Sequence, residues 1–314
     1  MQKADVDIIV IAYNEEARIG ACLSALCAQE TTRQFRVVVV NDGSTDATSR
    51  VVTEMVTSQP RIELVELTTN QGRGVARRTG LSHSSAEFVG FVDADIEVPA
   101  DWLERCVEAL SHADAASGIA VPDGDVAPLA RIFKLTPRPT PGSATITGNN
   151  VIFRASALAR VEFPSTPLGE DFRLAERLKA DGANLVSVPG LYVHHNETKS
   201  YRSSFKWLYS SGYDASALLF EFGRFRLPDV IALAFDVTVV GAMALAMWTS
   251  TGWTAILFPT LFVTLAAAAH VLTRFNLATQ PLAVIAACVA NIPLMGAYLA
   301  GRFVGTTILV WRQR

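Results

Sequence analysis

Arg36-Val37-Val38-Val39-Val40 runs directly into Asn41-Asp42-Gly43-Ser44-Thr45-Asp46. An unbroken run of branched apolar residues has no polar face, so it reads as a strand buried on both sides. Asn, Asp, Gly and Ser stop the strand with turn chemistry, and Thr45-Asp46 leads into a helix over Ala47–Ser58. The same order occurs upstream, where Val6–Ala12 (VDIIVIA) is followed by Tyr13-Asn14-Glu15-Glu16 and a helical stretch, Ala17–Gln29. It recurs downstream in a strand over Arg61–Leu67, a helix over Gly74–Ser84, and a strand over Glu87–Val92 that ends in Asp93-Ala94-Asp95. Repeated strand–helix units predict an α/β domain, a mostly parallel sheet with helices on both faces. Ligands of such sheets gather at the carboxyl ends of the strands. The polar clusters at 13–16, 41–46 and 93–97 all fall there.

Of the 314 residues, half are hydrophobic and 18% are charged, more apolar than an ordinary soluble domain. The excess is concentrated at the end. From Asp229 onward the charges are Asp229, Asp236, Arg274, Arg302, Arg312 and Arg314, which leaves 23 basic and 28 acidic residues before that point. A mildly acidic soluble part argues against nucleic acid as a partner. Cys22, Cys27, Cys106 and Cys288 show no CxxC spacing, so buried thiols in a reducing compartment are expected. Met1–Asp7 is short and polar; no signal peptide is expected there, and the N-terminal part is expected to stay in the cytoplasm.

Three apolar segments close the chain, about Val230–Trp248, Trp253–Leu272 and Leu282–Ala300. Each is near the ~20 residues that cross a bilayer as a helix. Residues 199–228 carry Lys199, Arg202, Lys206, Arg224 and Arg226 among aromatics, as an amphipathic collar on a membrane surface would. Basic residues before the first span place the N-terminal domain on the cytoplasmic side. Three crossings would leave Arg302, Arg312 and Arg314 outside, so one segment is a candidate for a re-entrant or interfacial position. The Pro- and Gly-rich stretch 121–145 reads as a long loop or flap.

Several constellations carry chemistry. Asp93 and Asp95, one residue apart at a strand end, point to the same side and can share a divalent cation, Mn²⁺ or Mg²⁺; a solvated turn is the bland alternative. In Asn70-Gln71-Gly72-Arg73-Gly74-Val75-Ala76-Arg77-Arg78-Thr79-Gly80, glycines permit close backbone approach, a helix N-terminus favours anions, and arginines can neutralise a diphosphate. The stretch lacks the third glycine of GxGxxG and an acid about 20 residues on, which disfavours a nicotinamide dehydrogenase. Glu170-Asp171 reads in isolation as a helix start facing the dipole.

Taken in order, these stretches resemble the family-2 inverting glycosyltransferases of the GT-A fold, over about residues 5–200. The resemblance implies that Ala12, Tyr13 and Glu15 frame the nucleoside, Asp42 contacts the base, and Arg77 sits near the diphosphate. It makes Asp93 and Asp95 the metal-binding DxD, with Asp93 also on the nucleotide sugar. Gly148-Asn149-Asn150-Val151-Ile152-Phe153-Arg154 resembles the acceptor-side strand, with Asn149, Asn150 and Glu170 on the acceptor side. Asp171 matches the general base of the family's ED motif. Some relatives use a histidine where His194-His195 stands as a third metal ligand, and a structural histidine is the equal alternative. Ser203–Trp207 (SSFKW) stands where processive synthases carry QxxRW, and the changed residues favour addition of a single sugar.

The expected organisation is a GT-A domain over 1–198, a membrane-interface segment over 199–228, and a transmembrane region over 229–314. The expected partners are a nucleotide sugar (UDP-linked, with GDP as the alternative), a lipid-linked acceptor and the membrane, with no nucleic acid. The expected location is the cytoplasmic membrane, multi-pass, with the catalytic domain facing the cytoplasm. The rival reading is a catalytically degenerate GT-A domain serving as a membrane scaffold; a scaffold has no need of Asp93, Asp95 and Asp171 together. A transporter fits poorly, since the apolar tail offers no charged pathway beyond Asp236.

Overall fold

The computed structural model of the chain describes residues 4–123, 148–164, 169–196, 201–222, 227–272 and 281–312. These fall into two compact units, one ending at residue 196 and one beginning at residue 201. The flap expected over 121–145 lies outside the described residues from 124 onward.

In the first unit the strands are β1 (Val6–Ala12), β2 (Phe35–Asn41), β3 (Ile62–Glu66), β4 (Phe88–Asp93), β5 (Ile96–Glu97), β6 (Ala115–Asp123), β7 (Asn150–Arg154) and β8 (Leu185–Asn196). The helices are α1 (Ile19–Cys27), α2 (Thr48–Ser58), α3 (Arg73–Ser82), α4 (Trp102–Ala109), the short α5 (Ala155–Leu158) and α6 (Glu170–Ala180). The strands form one sheet in the order β3-β2-β1-β4-β7-β6-β8-β5. The β3-β2-β1-β4 half is parallel, with Val10 opposite both Val39 and Val92. Beyond β4 the sheet is mixed: β7 runs antiparallel to β4 and β6, and β8 pairs parallel with β6 and antiparallel with β5.

Alternation along the apolar strands explains why they are apolar throughout. Ile8, Val10, Val37 and Val39 pack with Ile19, Leu23 and Trp102 in one layer. Ile9, Ile11, Val38 and Val40 pack with Ala76, Leu174 and Leu178 in the other. Each side chain of this size contributes about 1.5–3 kcal/mol when fully buried, so a polar substitution in β1 or β2 harms one core or the other. Strands β5 and β6 and helix α4 complete the unit beyond the strand–helix repeats. Ala115–Asp123 (AASGIAVPD) carries few bulky residues and takes its strand conformation from β7 and β8 on its two sides.

The second unit contains α7 (Tyr201–Phe222), α8 (Leu227–Thr249), α9 (Thr254–Leu272) and α10 (Pro281–Arg312). Among the described residues one helix, Asp229–Thr249, is long and apolar enough to cross a membrane, with a mean hydropathy of 2.2 and 17% of it buried. The apolar run Thr254–Ala269 is shorter. The third expected segment is part of one continuous helix of 32 residues, with no re-entrant break.

Arg302 is not a flanking charge beyond the last crossing. It is fully buried and donates from Nη2 to Asp229 Oδ1 at 2.6 Å. The collar helix α7 packs along α10. A Cβ added to Gly212 would collide with the Tyr298 carbonyl, and one on Gly301 with the Tyr209 carbonyl. Gly212-x-x-x-Ser216 on α7 and Gly301-x-x-x-Gly305 on α10 therefore face each other at backbone contact distance, a packing common among helices in lipid.

Candidate active site

The register of the parallel strands brings Ala12, Asn41 and Asp93 to one edge of the sheet. The two loops that leave β1 and β2 there are locked together. Asn14, in the left-handed region at φ 57°, donates its amide to Ser44 Oγ at 2.9 Å and accepts the Thr45 amide at Oδ1 at 2.8 Å. The Glu15 amide donates to Thr48 Oγ1, and the Ala47 amide to Glu16 Oε2, both at 2.8 Å. Gly43 turns at φ +69°, with its missing Cβ 2.5 Å from the Thr69 backbone. These bonds give the loops the rigidity that ligand positioning requires.

Above them lies a cleft of about 310 Å³ lined by Ala12, Tyr13, Glu15, Asp42, Asp93 and Asp95. All six are residues the sequence singles out. Tyr13 exposes its ring to the cleft at 44% accessibility. Asp42 is buried, and its two oxygens accept the amides of Gln71 (2.8 Å) and Gly72 (2.9 Å), which tie the start of α3 to the loop. Each carboxylate oxygen keeps a second lone pair.

Arg77 does not line the cleft. It is 3% exposed and lies beneath it, with Nη2 on Asp93 Oδ1 at 2.6 Å and on the Gly148 carbonyl at 2.9 Å, and Nη1 on Glu170. The arginine that lines the cleft is Arg73, one turn earlier on α3. The i, i+4 spacing puts both arginines on one side of α3, so the sequence does not tell them apart.

Asp95 accepts from, or shares a proton with, His195 Nε2 at 3.1 Å. Burial works to raise its pKa, and the hydrogen bond and charge of His195 outweigh that, so the carboxyl is held below its ordinary value. β5 pairs with β8 so that Ile96 faces His195 and Glu97 faces His194. Of the two histidines it is His195 that meets the acidic pair, as a partner of Asp95.

Glu15 shows the opposite shift. Burial raises its pKa, and the charges of Asp95 and Asp93 add to the rise against the pull of Arg18 at 2.6 Å. Three carboxyl groups therefore share the lining of the cleft, each with a basic partner: Arg18 for Glu15, Arg77 for Asp93 and His195 for Asp95. The second oxygen of Asp93 and of Asp95 has no protein hydrogen bond among the described residues. No set of three His, Cys, Asp or Glu side chains is gathered as a metal cage among them either. Two carboxylates are an incomplete ligand set, and a hard cation such as Mg²⁺ would need substrate phosphates and water to complete its coordination there.

Helix α6 begins after Gly169, which takes φ 66°, and its first turn presents Glu170 and Asp171. Glu170 is buried; burial and the Asp171 charge raise its pKa, and Arg77 opposes them. Asp171 is partly exposed and accepts the amides of Gly148 (3.3 Å) and Phe172 (2.8 Å). Asn150 is fully buried and turned into the sheet, with Oδ1 accepting the Gly118 amide at 2.7 Å and Nδ2 donating to Asn149. The Asn149 carbonyl accepts the Asp93 amide at 3.1 Å. The asparagine pair thus ties β4 to β7 and β6, and Asn150 has no surface to offer an acceptor.

A parallel half-sheet whose carboxyl edge carries an acidic pair, beside an antiparallel extension, is the GT-A-like architecture. Residues 7–158 match the model of glycosyl transferase family 2. It is 35% identical over 216 residues to the succinoglycan biosynthesis protein ExoO of Rhizobium meliloti, covering 61% of this chain and 60% of that protein. It is 32% identical over 122 residues to glycosyltransferase AglE of Haloferax volcanii, covering 38% and 39%. The chain spans 13–60% of the length of the first four curated relatives it matches. Among solved structures it is similar to the mannosyltransferase PcManGT of Pyrobaculum calidifontis in complex with GDP-Man and Mn²⁺. That likeness has TM-score 0.63 and 23% identity, over 100% of this chain and 89% of that one. It is also similar to S. aureus TarS 1–349 in complex with UDP-GlcNAc, at TM-score 0.54 and 19% identity over 98% and 92%.

Proposed function

We propose that the chain is an inverting glycosyltransferase that moves one sugar from a nucleoside diphosphate sugar to a lipid-linked acceptor at a membrane, in the synthesis of a cell-surface polysaccharide or glycolipid. The observation that carries this reading is the convergence of Tyr13, Asp42, Arg73, Asp93 and Asp95 on one cleft at the carboxyl edge of the sheet. Tyr13 and Asp42 serve the nucleoside, UDP or GDP, and Arg73 faces the diphosphate. Asp93 and Asp95 would hold Mn²⁺ or Mg²⁺, which when bound offsets the charge on the departing diphosphate. Asp171 is the general base. An acceptor hydroxyl attacks the anomeric carbon from the face opposite the diphosphate. The new C–O bond forms as the bond to the diphosphate breaks, and the hydroxyl proton passes to Asp171.

The apolar helix Asp229–Thr249 supports membrane anchoring, and the two further apolar stretches fit a multi-pass region with the transferase domain on the cytoplasmic side. The donor is identified by measuring release of UDP or GDP from a panel of nucleotide sugars with Mn²⁺. Asp171→Asn tests the mechanism. It is expected to lower turnover about 10²–10⁴-fold while leaving nucleotide affinity within threefold of wild type. Turnover near wild type would remove Asp171 as the base.

A further inference from the structure

We propose that Arg77 is a positioning residue that holds the donor-side carboxylate Asp93 and the acceptor-side pair Glu170-Asp171 at one fixed separation, an inference that rests on the glycosyl-transfer reading above. Its guanidinium touches three segments far apart in the chain: the end of β4 through Asp93, the turn before β7 through Gly148, and the first turn of α6 through Glu170. A guanidinium is planar, and its donors stand in a rigid fork. One buried group of this kind sets the relative placement of all three partners, which three separate flexible contacts would not.

Gly148 carries the link onward. Its carbonyl accepts from Arg77 and its amide donates to Asp171 Oδ2. Asp93 and Asp171 are thereby joined through Arg77 and the backbone of one residue. The packing leaves no slack: a Cβ on Gly148 would lie 2.6 Å from the Asp171 Cβ and 3.2 Å from Arg77 Nη1.

Electrostatics require a cation at this point. Asp93 and Glu170 both bond the buried guanidinium, which is the cation between them. Removing the charge would leave the carboxylates around it to repel each other. A diphosphate ligand would have to reach solvent, whereas Arg77 is 3% exposed and Arg73 lines the cleft in its place. The kinetic consequence follows from geometry, since a misplacement of ~1 Å can cost ~10²-fold in rate.

The test uses the full-length protein in detergent, with Arg77→Lys and Glu170→Gln. Lysine keeps the charge and loses the fork, and glutamine keeps the shape and loses the charge. Both are expected to lower kcat at saturating donor at least 10-fold. The Kd for UDP or GDP without Mn²⁺, measured by calorimetry, is expected to stay within threefold. The double variant is expected to lose less than the product of the two single losses, because both act on one link. An unchanged kcat in the single variants overturns the proposal, as does a nucleotide Kd weakened more than 10-fold with kcat retained. If Arg77→Lys does not purify as a folded protein, Glu170→Gln is judged alone by the same two criteria. A wild-type protein that binds and turns over no nucleotide sugar overturns the transfer reading and this proposal with it, whereas active wild type with indifferent variants overturns this proposal only.

Discussion

Two arginines four residues apart on α3 do different work because of where a single helical turn places them. Arg73 lines the cleft and Arg77 lies beneath it. Charge in a low-dielectric wall is felt strongly, so on the proposed function the cleft-facing residues govern donor affinity. Arg73→Ala is expected to weaken UDP or GDP binding about 10-fold or more, the scale of one lost charge-assisted contact. Asp93→Ala is expected to abolish the Mn²⁺-dependent part of that binding. Titration of each nucleotide with and without Mn²⁺ checks both, and Mn²⁺-stimulated binding that survives in Asp93→Ala removes Asp93 from the metal site. Glu15 lines the same cleft, and its pKa is raised chiefly by burial, with Asp95 and Asp93 adding to the rise against Arg18.

The two units are built from elements on different principles. In the sheet, alternate residues of β1 and β2 feed two separate cores, so shape and apolarity suffice to order the strands. In the helical unit, α7 and α10 meet through glycine and serine, where close backbone approach is the contact itself. A side chain at that crossing must push the helices apart, and overpacking of this kind costs about 1–3 kcal/mol or more. Gly301→Val is therefore expected to lower the thermal unfolding temperature in detergent clearly. Gly241→Val on α8, where an added Cβ meets nothing within 4 Å, is expected to be near neutral. Equal effects of the two changes would show that the α7–α10 contact does not limit stability.

At the scale of the whole molecule, a domain with two apolar cores is followed by helices that expose apolar side chains, such as Val237, Met247 and Trp248 on α8. A contiguous apolar surface of that kind marks a lipid or protein contact. The buried Asp229–Arg302 pair stands out in this apolar setting, because a charge there is costly without its partner. The chain is expected to remain in the membrane pellet after an alkaline carbonate wash. Quantitative release into the supernatant would argue against a spanning helix.

Much of this was legible in the sequence. The four parallel strands, the helices between them and the edge where polar residues collect all follow from branched apolar runs stopped by turn residues. Those patterns encode which faces of an element are buried. They do not encode which distant group fills a given place. Arg77 on Glu170 spans 93 positions, and Arg302 on Asp229 spans 73. Asn150 reads as an acceptor-side residue until β6 is seen to supply the Gly118 amide that it accepts. His195 and His194 are indistinguishable until the pairing of β5 with β8 sets one against Asp95. The sequence by itself determined the α/β architecture, the position of the acidic pair at a strand end and the apolar character of the last third. Only the tertiary structure decided which arginine faces the cleft and which bonds Asp93 and Glu170, because that choice depends on packing between segments with no local signature of each other.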